Sequence, residues 1–185
     1  MNTSNPHPSP SGAEHQPSAP LVRTMVESPV GELTVVASDA GLRAVLWPAD
    51  DPERVDVMGA VEEPEHPVLR LVVAQLEEYF GGERREFDVP LDLVGTEFQR
   101  AAWAVLLTIP YGTTATYAEQ AERLGDRNKA RAVGAANGRN PVSIIVPCHR
   151  VVGASGGLTG FAGGLQVKSW LLDHEQRHTG ARLPI

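Results

Sequence analysis

The sequence contains little cysteine: Cys148 is the only one among 185 residues. A lone thiol excludes an internal disulfide and cannot build a thiolate metal site, and it fits a reducing compartment. Long apolar runs are also missing, because no stretch approaches the roughly 18 residues of a membrane span, and the N-terminus has no apolar signal region. We therefore expect a cytoplasmic protein that has no membrane partner.

Acidic residues are scarce in one region, although the net charge of the chain is −7. Between Arg123 and Arg150, six basic residues are opposed by Asp126 alone, whereas fourteen acidic residues face four arginines between Asp50 and Glu97. The field that a phosphate backbone meets depends on local charge rather than on the total. The basic region is compatible with nucleic-acid binding, and a solvated surface without a partner is the alternative.

The single cysteine lies in the run Pro147-Cys148-His149-Arg150, directly after the apolar stretch 143–146. This order predicts a thiol at the end of a buried strand, with two potential cations beside it. Both neighbours would favour the thiolate and lower a free-cysteine pKa of about 8.5 toward neutrality. A single cysteine beside a histidine is a candidate nucleophile, and the alternative is a buried cysteine that acts as a small hydrophobe.

The first half of the chain predicts a small domain of strands and one helix, over residues 21–94. Residues 1–20 hold five prolines and four serines, and they predict a disordered tail. Three short strands are predicted, at 24–27, 32–38 and 42–47. An acidic loop over 50–67 precedes a helix, which apolar residues at helical spacing predict from 68 to 80. Alternating apolar residues from Phe87 to Leu91 predict a further strand.

The second half predicts a mainly helical domain over 95–178, followed by a tail over 179–185. Thr96 with Gln99 forms a capping box that opens a helix to about 108. Thr116 with Glu119 forms another, which opens a helix that ends near 125. The fold class is therefore α/β, with strands and helices segregated along the chain in an α+β arrangement.

A third helix is predicted from Lys129 to Asn137, after a short turn. Two helices joined in this way form a helix-turn-helix, the arrangement that many DNA-binding proteins place in the major groove. Its second helix is dominated by alanine and glycine. Small residues allow close approach to a surface, but they also fit a tightly packed core helix, and the sequence leaves both open. A last helix is predicted from 165 to about 176.

Five runs together resemble the O6-alkylguanine-DNA alkyltransferases, also called methylated-DNA–protein-cysteine methyltransferases. The runs are Ala130–Asn137, Asn140-Pro141, Val146–Val152, Gly163–Leu165 and Trp170–Glu175. The Pro-Cys-His-Arg signature with its apolar flanks is the most specific of them, and the strong match covers about 96–175. The strands and helix before it are compatible with the ribonuclease-H-like first domain of that family.

The resemblance implies DNA repair in which Cys148 attacks the alkyl carbon of an O6-alkylguanine in double-stranded DNA. Each molecule would act once, as a monomer and without a cofactor, and O4-alkylthymine is left open as a second substrate. By the same resemblance, His149 takes the thiol proton through water and Glu175 orients His149, which is the logic of a hydrolase triad. Tyr117 is implied as the proton donor to the ring nitrogen of the leaving guanine.

The resemblance also implies how DNA is held. Arg131 matches the arginine that replaces a flipped base in the stack, and the alternative for it is a phosphate contact. Five further residues are expected at the DNA, namely Arg127, Lys129, Ala130, Gly134 and Ala135. Asn140 braces the turn between the reading helix and the active site.

Four residues are expected to line or support the substrate pocket, namely Arg150, Val151, Phe161 and Ala162. Arg150 is expected to be a structural partner rather than a catalyst. Phe161 stands where the family commonly has tyrosine, and Ala162 where some members have serine, so backbone N–H groups near Ala162 would contact the alkylated oxygen. The N-terminal region has no cysteine–histidine cluster, and we expect no metal.

Two other classes of function remain as alternatives. A cysteine hydrolase could use Cys148 and His149, although neighbouring residues of an extended chain point to opposite faces. A non-catalytic protein that binds alkylated bases is the other, but relatives of that kind carry tryptophan in place of the cysteine.

Overall fold

The structure is a computed structural model that describes residues 20–51 and 53–180. The predicted disordered tail over 1–20 lies outside the described residues except for Pro20. The predicted C-terminal tail over 179–185 also lies outside them, except for its first two residues. No helix in the described ranges is long and apolar enough to cross a bilayer.

A four-stranded sheet and one helix form the first part of the molecule. The strands are β1 (Val22–Val26), β2 (Leu33–Ser38), β3 (Gly41–Leu46) and β4 (Val61–Glu62), in the order β3-β2-β1-β4. The pairs β1–β2 and β2–β3 are antiparallel, whereas β4 joins β1 in parallel. Helix α1 (Pro67–Phe80) packs against β2 and buries Leu69, Val72, Leu76 and Tyr79.

The three predicted strands and the predicted helix are confirmed within one or two residues at each end. Strand β4 was not predicted, since it consists of two exposed residues inside the acidic loop. The strand predicted from Phe87 to Leu91 is wrong. Only Leu91 makes a bridge, to Leu42 of β3. Pro90 has no N–H to donate, and the backbone there contributes its carbonyl to Leu42 instead.

The second part of the molecule is mainly helical. Its elements are α2 (Glu97–Leu106), α3 (Tyr117–Arg123), α4 (Ala130–Gly138), α5 (Leu165–Thr179), and the parallel strands β5 (Ala115–Thr116) and β6 (Val151–Val152). Both predicted capping boxes are present, with their reciprocal side-chain and backbone hydrogen bonds. The structure thus confirms a mixed fold with an N-terminal sheet and a helical C-terminal part.

Helices α2 and α3 each end two residues before the predicted position, and the boundaries of α4 and α5 also differ from the prediction. Helix α4 begins at Ala130 rather than Lys129, because 127–129 form a 3-10 turn whose backbone is capped by the Asp126 side chain. Helix α5 continues to Thr179, three residues beyond its predicted end.

The strand predicted over 143–146 is also wrong. The side chain of Asn140 accepts from Val142 N at 3.1 Å and donates to Val146 O at 2.7 Å. These are bonds that a neighbouring strand would otherwise provide, so the segment folds back on itself. Ile144 reaches φ 77° inside this buried turn, which is a strained conformation for a β-branched residue. Cys148 consequently follows a folded turn and not a strand end.

Candidate active site

Cys148 opens a 3-10 turn, Cys148–Arg150, and only 7% of its surface is exposed. The prediction of a lowered thiol pKa is wrong, because burial raises the pKa of Cys148 above its ordinary value. The Asn140 side chain and the positive charges of Lys168 and Arg54 oppose this shift without reversing it. The cations that favour the thiolate thus come from distant parts of the chain rather than from the two following residues.

His149 is fully buried, and its ring is held by Glu175 from α5. The distance from His149 Nε2 to Glu175 Oε1 is 2.7 Å. Burial lowers the pKa of His149, although the Glu175 carboxylate favours the charged imidazole. A neutral imidazole that donates through Nε2–H carries its lone pair on Nδ1. That atom is buried and has no hydrogen-bond partner within the described ranges, so it is available to accept a proton.

Glu175 is fully buried and ionised. Its Oε2 accepts from Arg150 Nε at 2.9 Å and from Gly112 N at 3.0 Å, and its Oε1 accepts from Arg150 Nη2 at 3.0 Å as well as from His149. Burial alone would raise the pKa of Glu175, but the hydrogen bonds and charges of His149 and Arg150 lower it to about 2. Arg150 therefore fixes the carboxylate, and its Nη1 also donates to Ile109 O at 2.7 Å.

Lys168 of α5 is a buried cation near the thiol that the sequence reasoning missed. Its Nζ donates to Val151 O at 2.6 Å and to Thr159 O at 2.8 Å, and it lies 5.9 Å from the centre of the Tyr117 ring. Burial lowers the pKa of Lys168, while the negative charge of the Cys148 thiolate raises it. In the sequence, Lys168 stands out only as a lysine among the apolar residues of the last helix. An exposed lysine would give the same pattern, so the sequence does not indicate that this one is buried.

A cleft of about 390 Å³ lies between α4 and the glycine-rich loop 153–164. Its walls include Tyr117, Gly134, Phe161 and Ala162. The Phe161 ring stands 6.4 Å from the ring of His149, so the cleft adjoins the buried relay. Val151 is fully buried in β6 and supports Lys168 through its carbonyl rather than lining this cleft.

The hydroxyl of Tyr117 faces the glycine-rich loop. It accepts from Thr159 Oγ1 at 3.1 Å and approaches Thr159 O at 3.5 Å. A donor–acceptor distance of 3.5 Å is long for an O–H donor, so the hydrogen bond that the Tyr117 hydroxyl donates to Thr159 O is weak. The hydroxyl proton is available to a ligand in the cleft.

Helix α4 presents one buried and one exposed face. Val133, Ala136 and Asn137 point inward, and Gln120 of α3 exchanges two hydrogen bonds with Asn137. The exposed side carries Arg131 and Ala135, with Ala130 half-buried at the start of the helix. The small residues of α4 thus serve both packing and surface, which the sequence had left open.

Three basic residues expected at DNA lie at or near the start of α4, namely Arg127, Lys129 and Arg131, and all three are exposed. Arg127 is 3.1 Å from Glu122 of α3 in an exposed ion pair. Arg131 forms no hydrogen bond or ion pair to the rest of the described chain. The Arg131 side chain is therefore available to a partner.

Comparisons with known proteins agree with this geometry. The chain matches the 6-O-methylguanine DNA methyltransferase family over both parts of the molecule: the ribonuclease-like domain over residues 21–93 and the DNA-binding domain over 97–177. A methylated-DNA–protein-cysteine methyltransferase of Mycolicibacterium paratuberculosis is 49% identical over 160 residues, which cover 86% of this chain and 95% of that protein. One from Methanosarcina acetivorans is 46% identical over 149 residues, or 80% of this chain and 94% of that protein.

Solved structures are similar over the same length. The crystal structure of Mycobacterium tuberculosis O6-methylguanine methyltransferase has a TM-score of 0.78 and 45% identity, and the match covers 88% of this chain and 97% of that one. The crystal structure of Mycobacterium tuberculosis OGT in complex with DNA has a TM-score of 0.77 and 45% identity, over 83% of this chain and 92% of that one. This chain belongs to the 6-O-methylguanine DNA methyltransferase family.

Proposed function

We propose that this protein repairs DNA by transferring the alkyl group of O6-alkylguanine to Cys148, once per molecule. The observation that carries the proposal is the buried arrangement of thiol, imidazole and carboxylate beside an exposed helix-turn-helix. The relative that was crystallised as OGT in complex with DNA supports DNA as the partner. Membership of the family supports methylated guanine as the substrate.

The transfer is a displacement at the alkyl carbon. The Cys148 proton passes to His149 Nδ1, through a water molecule, and the thiolate attacks the alkyl carbon as the bond from that carbon to O6 breaks. The electron pair of the broken bond goes to the guanine, and the Tyr117 hydroxyl donates to its ring nitrogen, which offsets the developing negative charge. Glu175 stabilises the imidazolium that forms on His149. Exchange with solvent then carries the extra proton of the His149 imidazolium to the Tyr117 phenolate, so the products are a thioether on Cys148 and restored guanine, with both side chains neutral.

Cys148 is buried, so the target base must leave the stack to reach it. We propose that α4 enters a groove, that Arg131 fills the gap left by the base, and that Arg127 and Lys129 contact phosphates. Ala130, Gly134 and Ala135 allow the backbone of α4 to approach the duplex closely. The cleft walled by Phe161 and Ala162 then receives the base.

The division into functional domains follows the two parts of the fold. We propose a first domain over 21–94 and an alkyl-transfer and DNA-binding domain over 95–178, acting as a monomer. The helix-turn-helix, the relay of His149 and Glu175, and Cys148 all belong to the second of these.

Intact-mass measurement after mixing with an O6-methylguanine duplex tests the proposal. We expect one added methylene unit of mass per protein, on Cys148, and no further increase at long times. Cys148→Ala should take up nothing while it binds unmodified duplex as wild type does, because the groove contacts lie on α4.

The two alternative functions give different results. A cysteine hydrolase would turn over and leave no stable adduct, and a non-catalytic lesion-binding protein would bind the duplex with no change in mass. Multiple turnovers per protein molecule, or an adduct on a residue other than Cys148, would contradict the proposal.

A further inference from the structure

Tyr79 is a buried polar residue of the sheet-containing part that touches the reaction centre of the other part. It lies in the last turn of α1 and has no exposed surface. Its hydroxyl donates to Glu175 Oε1 at 2.9 Å, although 96 residues separate the two in sequence. The mechanism above gives this hydrogen bond no role.

The oxygen that Tyr79 contacts is the one that faces His149. Oε1 of Glu175 accepts from His149 Nε2 at 2.7 Å, from Tyr79 at 2.9 Å and from Arg150 Nη2 at 3.0 Å. An ionised carboxylate oxygen has two lone pairs, so three donors on one oxygen share its electron density. Each added donor weakens the hydrogen bond that Oε1 accepts from the imidazole.

The hydroxyl of Tyr79 can act only as a donor here. Burial, and next the charge of Glu175 and the hydrogen bond to it, raise the pKa of Tyr79 well above its ordinary value. Tyr79 therefore keeps its proton throughout the reaction and supplies no base. Ring contacts hold it in place, because its ring lies 5.4 Å from both Phe80 and Phe87 and 6.0 Å from Tyr111.

We propose that Tyr79 is a positioning residue for alkyl transfer. Its hydroxyl locks the rotation of the Glu175 carboxylate and limits how strongly Oε1 accepts from His149, so that His149 stays a neutral base until the thiol proton reaches it. By this route the ribonuclease-like domain takes part in the chemistry of the other domain. The expected effect of Tyr79 on the rate of alkyl transfer rests on the proposed function, whereas its expected effect on the pKa of His149 does not.

Several charged or titratable groups face this centre from the elements packed against it. They are Tyr79 from α1, Tyr111 from the loop after α2, Cys148 and Arg150 from the 3-10 turn, and Lys168, His174 and His178 from α5. Of these, Arg150 and Lys168 act on His149 to favour its neutral form. All of them except the Tyr79 hydroxyl are retained in the variant that tests the proposal.

The experiment compares wild type, Tyr79→Phe and Tyr111→Phe. The Tyr79→Phe change keeps the ring and its packing but removes one donor from Oε1. Tyr111 is a matched control, because its hydroxyl is likewise buried near Glu175 but has no hydrogen-bond partner among the described residues. The pKa of His149 is measured by NMR titration of the imidazole. The rate of reaction with free O6-benzylguanine is measured from pH 5 to 9.

Loss of the donor makes Oε1 a better acceptor, which stabilises the imidazolium. We expect the pKa of His149 in Tyr79→Phe to rise by about 0.5 to 1. Protonated His149 cannot take the thiol proton. The acid limb of the pH–rate profile should therefore shift to higher pH by the same amount. Tyr111→Phe should leave both quantities as in wild type.

Two outcomes would overturn the inference. One is an unchanged His149 titration in Tyr79→Phe, and the other is a rate loss that is equal at every pH, since a purely structural role predicts that. If wild type transferred no alkyl group, the proposed function would fail, and the His149 titration would still decide the role of Tyr79.

Discussion

At the scale of single residues, the reactivity of Cys148 depends on which positively charged side chain lies near its thiol. Arg150 is already neutralised by Glu175, and burial keeps His149 neutral. Lys168 is the basic side chain with the greatest effect on Cys148. Its ammonium is held by two carbonyls of the loop and of β6, so it cannot turn away from the site. The thiolate is thus favoured by a buried lysine and opposed by burial itself.

Replacement of this cation should slow the reaction in a pH-dependent way. In Lys168→Met the pKa of Cys148 should rise, because a charge that favours the thiolate is lost. The rate with free O6-benzylguanine should fall about tenfold for each unit by which the thiol pKa rises, and the difference from wild type should narrow at alkaline pH.

The matched control is Arg177→Met, which removes an exposed cation from the same helix. It should leave the pH–rate profile unchanged. A loss in Lys168→Met that is the same at every pH would show that Lys168 holds the loop and does not affect the thiol.

At the scale of elements, α4 is a helix whose two faces have different tasks. Its inner face is tied to α2 and α3, since Trp103 Nε1 donates to Ala136 O at 2.8 Å and Gln120 binds Asn137. Its outer face carries Arg131, which has no intramolecular partner among the described residues. A rigidly anchored helix can place one side chain into a duplex with little ordering cost.

Arg131→Ala should therefore affect duplex and free-base substrates differently. If Arg131 fills the space of the extruded base, repair of an O6-methylguanine duplex should slow at least tenfold, since unstacking costs a few kcal/mol. Reaction with free O6-benzylguanine needs no extrusion and should be nearly unchanged. Equal losses with both substrates would place Arg131 in support of the fold or the cleft.

The turn before Cys148 depends on one side chain. In Asn140→Ala, the buried Val142 N loses its partner and Val146 O keeps only the bond from Cys148 N, and we expect the free energy of unfolding to fall by about 1 to 3 kcal/mol. Urea denaturation measures this. Asn128→Ala, an exposed asparagine before α4, should change stability by less than about 0.5 kcal/mol. Similar values for the two variants would show that other contacts hold the turn.

Elements defined by local signals were predictable from the sequence. The two capping boxes and the apolar spacing of α1 involve residues within four positions of each other, so α1, α2 and α3 were located within about two residues. The turn over 143–146 has the composition of a strand, and its course becomes visible only in the folded chain, from the bonds of Asn140 and the backbone bond from Val146 N to Val142 O.

The surroundings of the thiol could not be predicted in this way. Lys168 and Arg54 lie 20 and 94 residues from Cys148, and no spacing rule connects them. Burial, which reverses the expected shift of the thiol pKa, is likewise a property of the folded chain. The resemblance to a family supplied Glu175, but not Tyr79 or Lys168.

At the scale of the whole molecule, charge is distributed unevenly. The acidic residues concentrate in the sheet-containing part, while Arg127, Lys129 and Arg131 lie on the exposed side of the helix-turn-helix. An acidic protein can therefore bind DNA through the local positive charge of these exposed residues.

Binding to unmodified duplex should then depend strongly on salt and weakly on sequence. With about three to five phosphate contacts, the slope of log K against log salt should lie between about −2.7 and −4.5, at about −0.9 per contact. Lys129→Ala should flatten the slope by about one contact. Arg70→Ala, which removes an exposed cation from α1, should not change it. A flat salt response, or strong discrimination among unrelated duplexes, would contradict this.

Buried contacts join the two parts of the fold, and we expect them to make unfolding cooperative. Arg54 donates to Asn140 O, Trp47 packs against Gly163 so closely that a methyl group there would meet its ring at 2.8 Å, and Tyr79 binds Glu175. Domains linked only by small polar surfaces melt separately, whereas parts that share buried bonds lose them together. Calorimetry should accordingly show one unfolding transition. The sheet cannot unfold without breaking the hydrogen bond from Tyr79 that holds the Glu175 carboxylate, the group on which activation of the thiol depends.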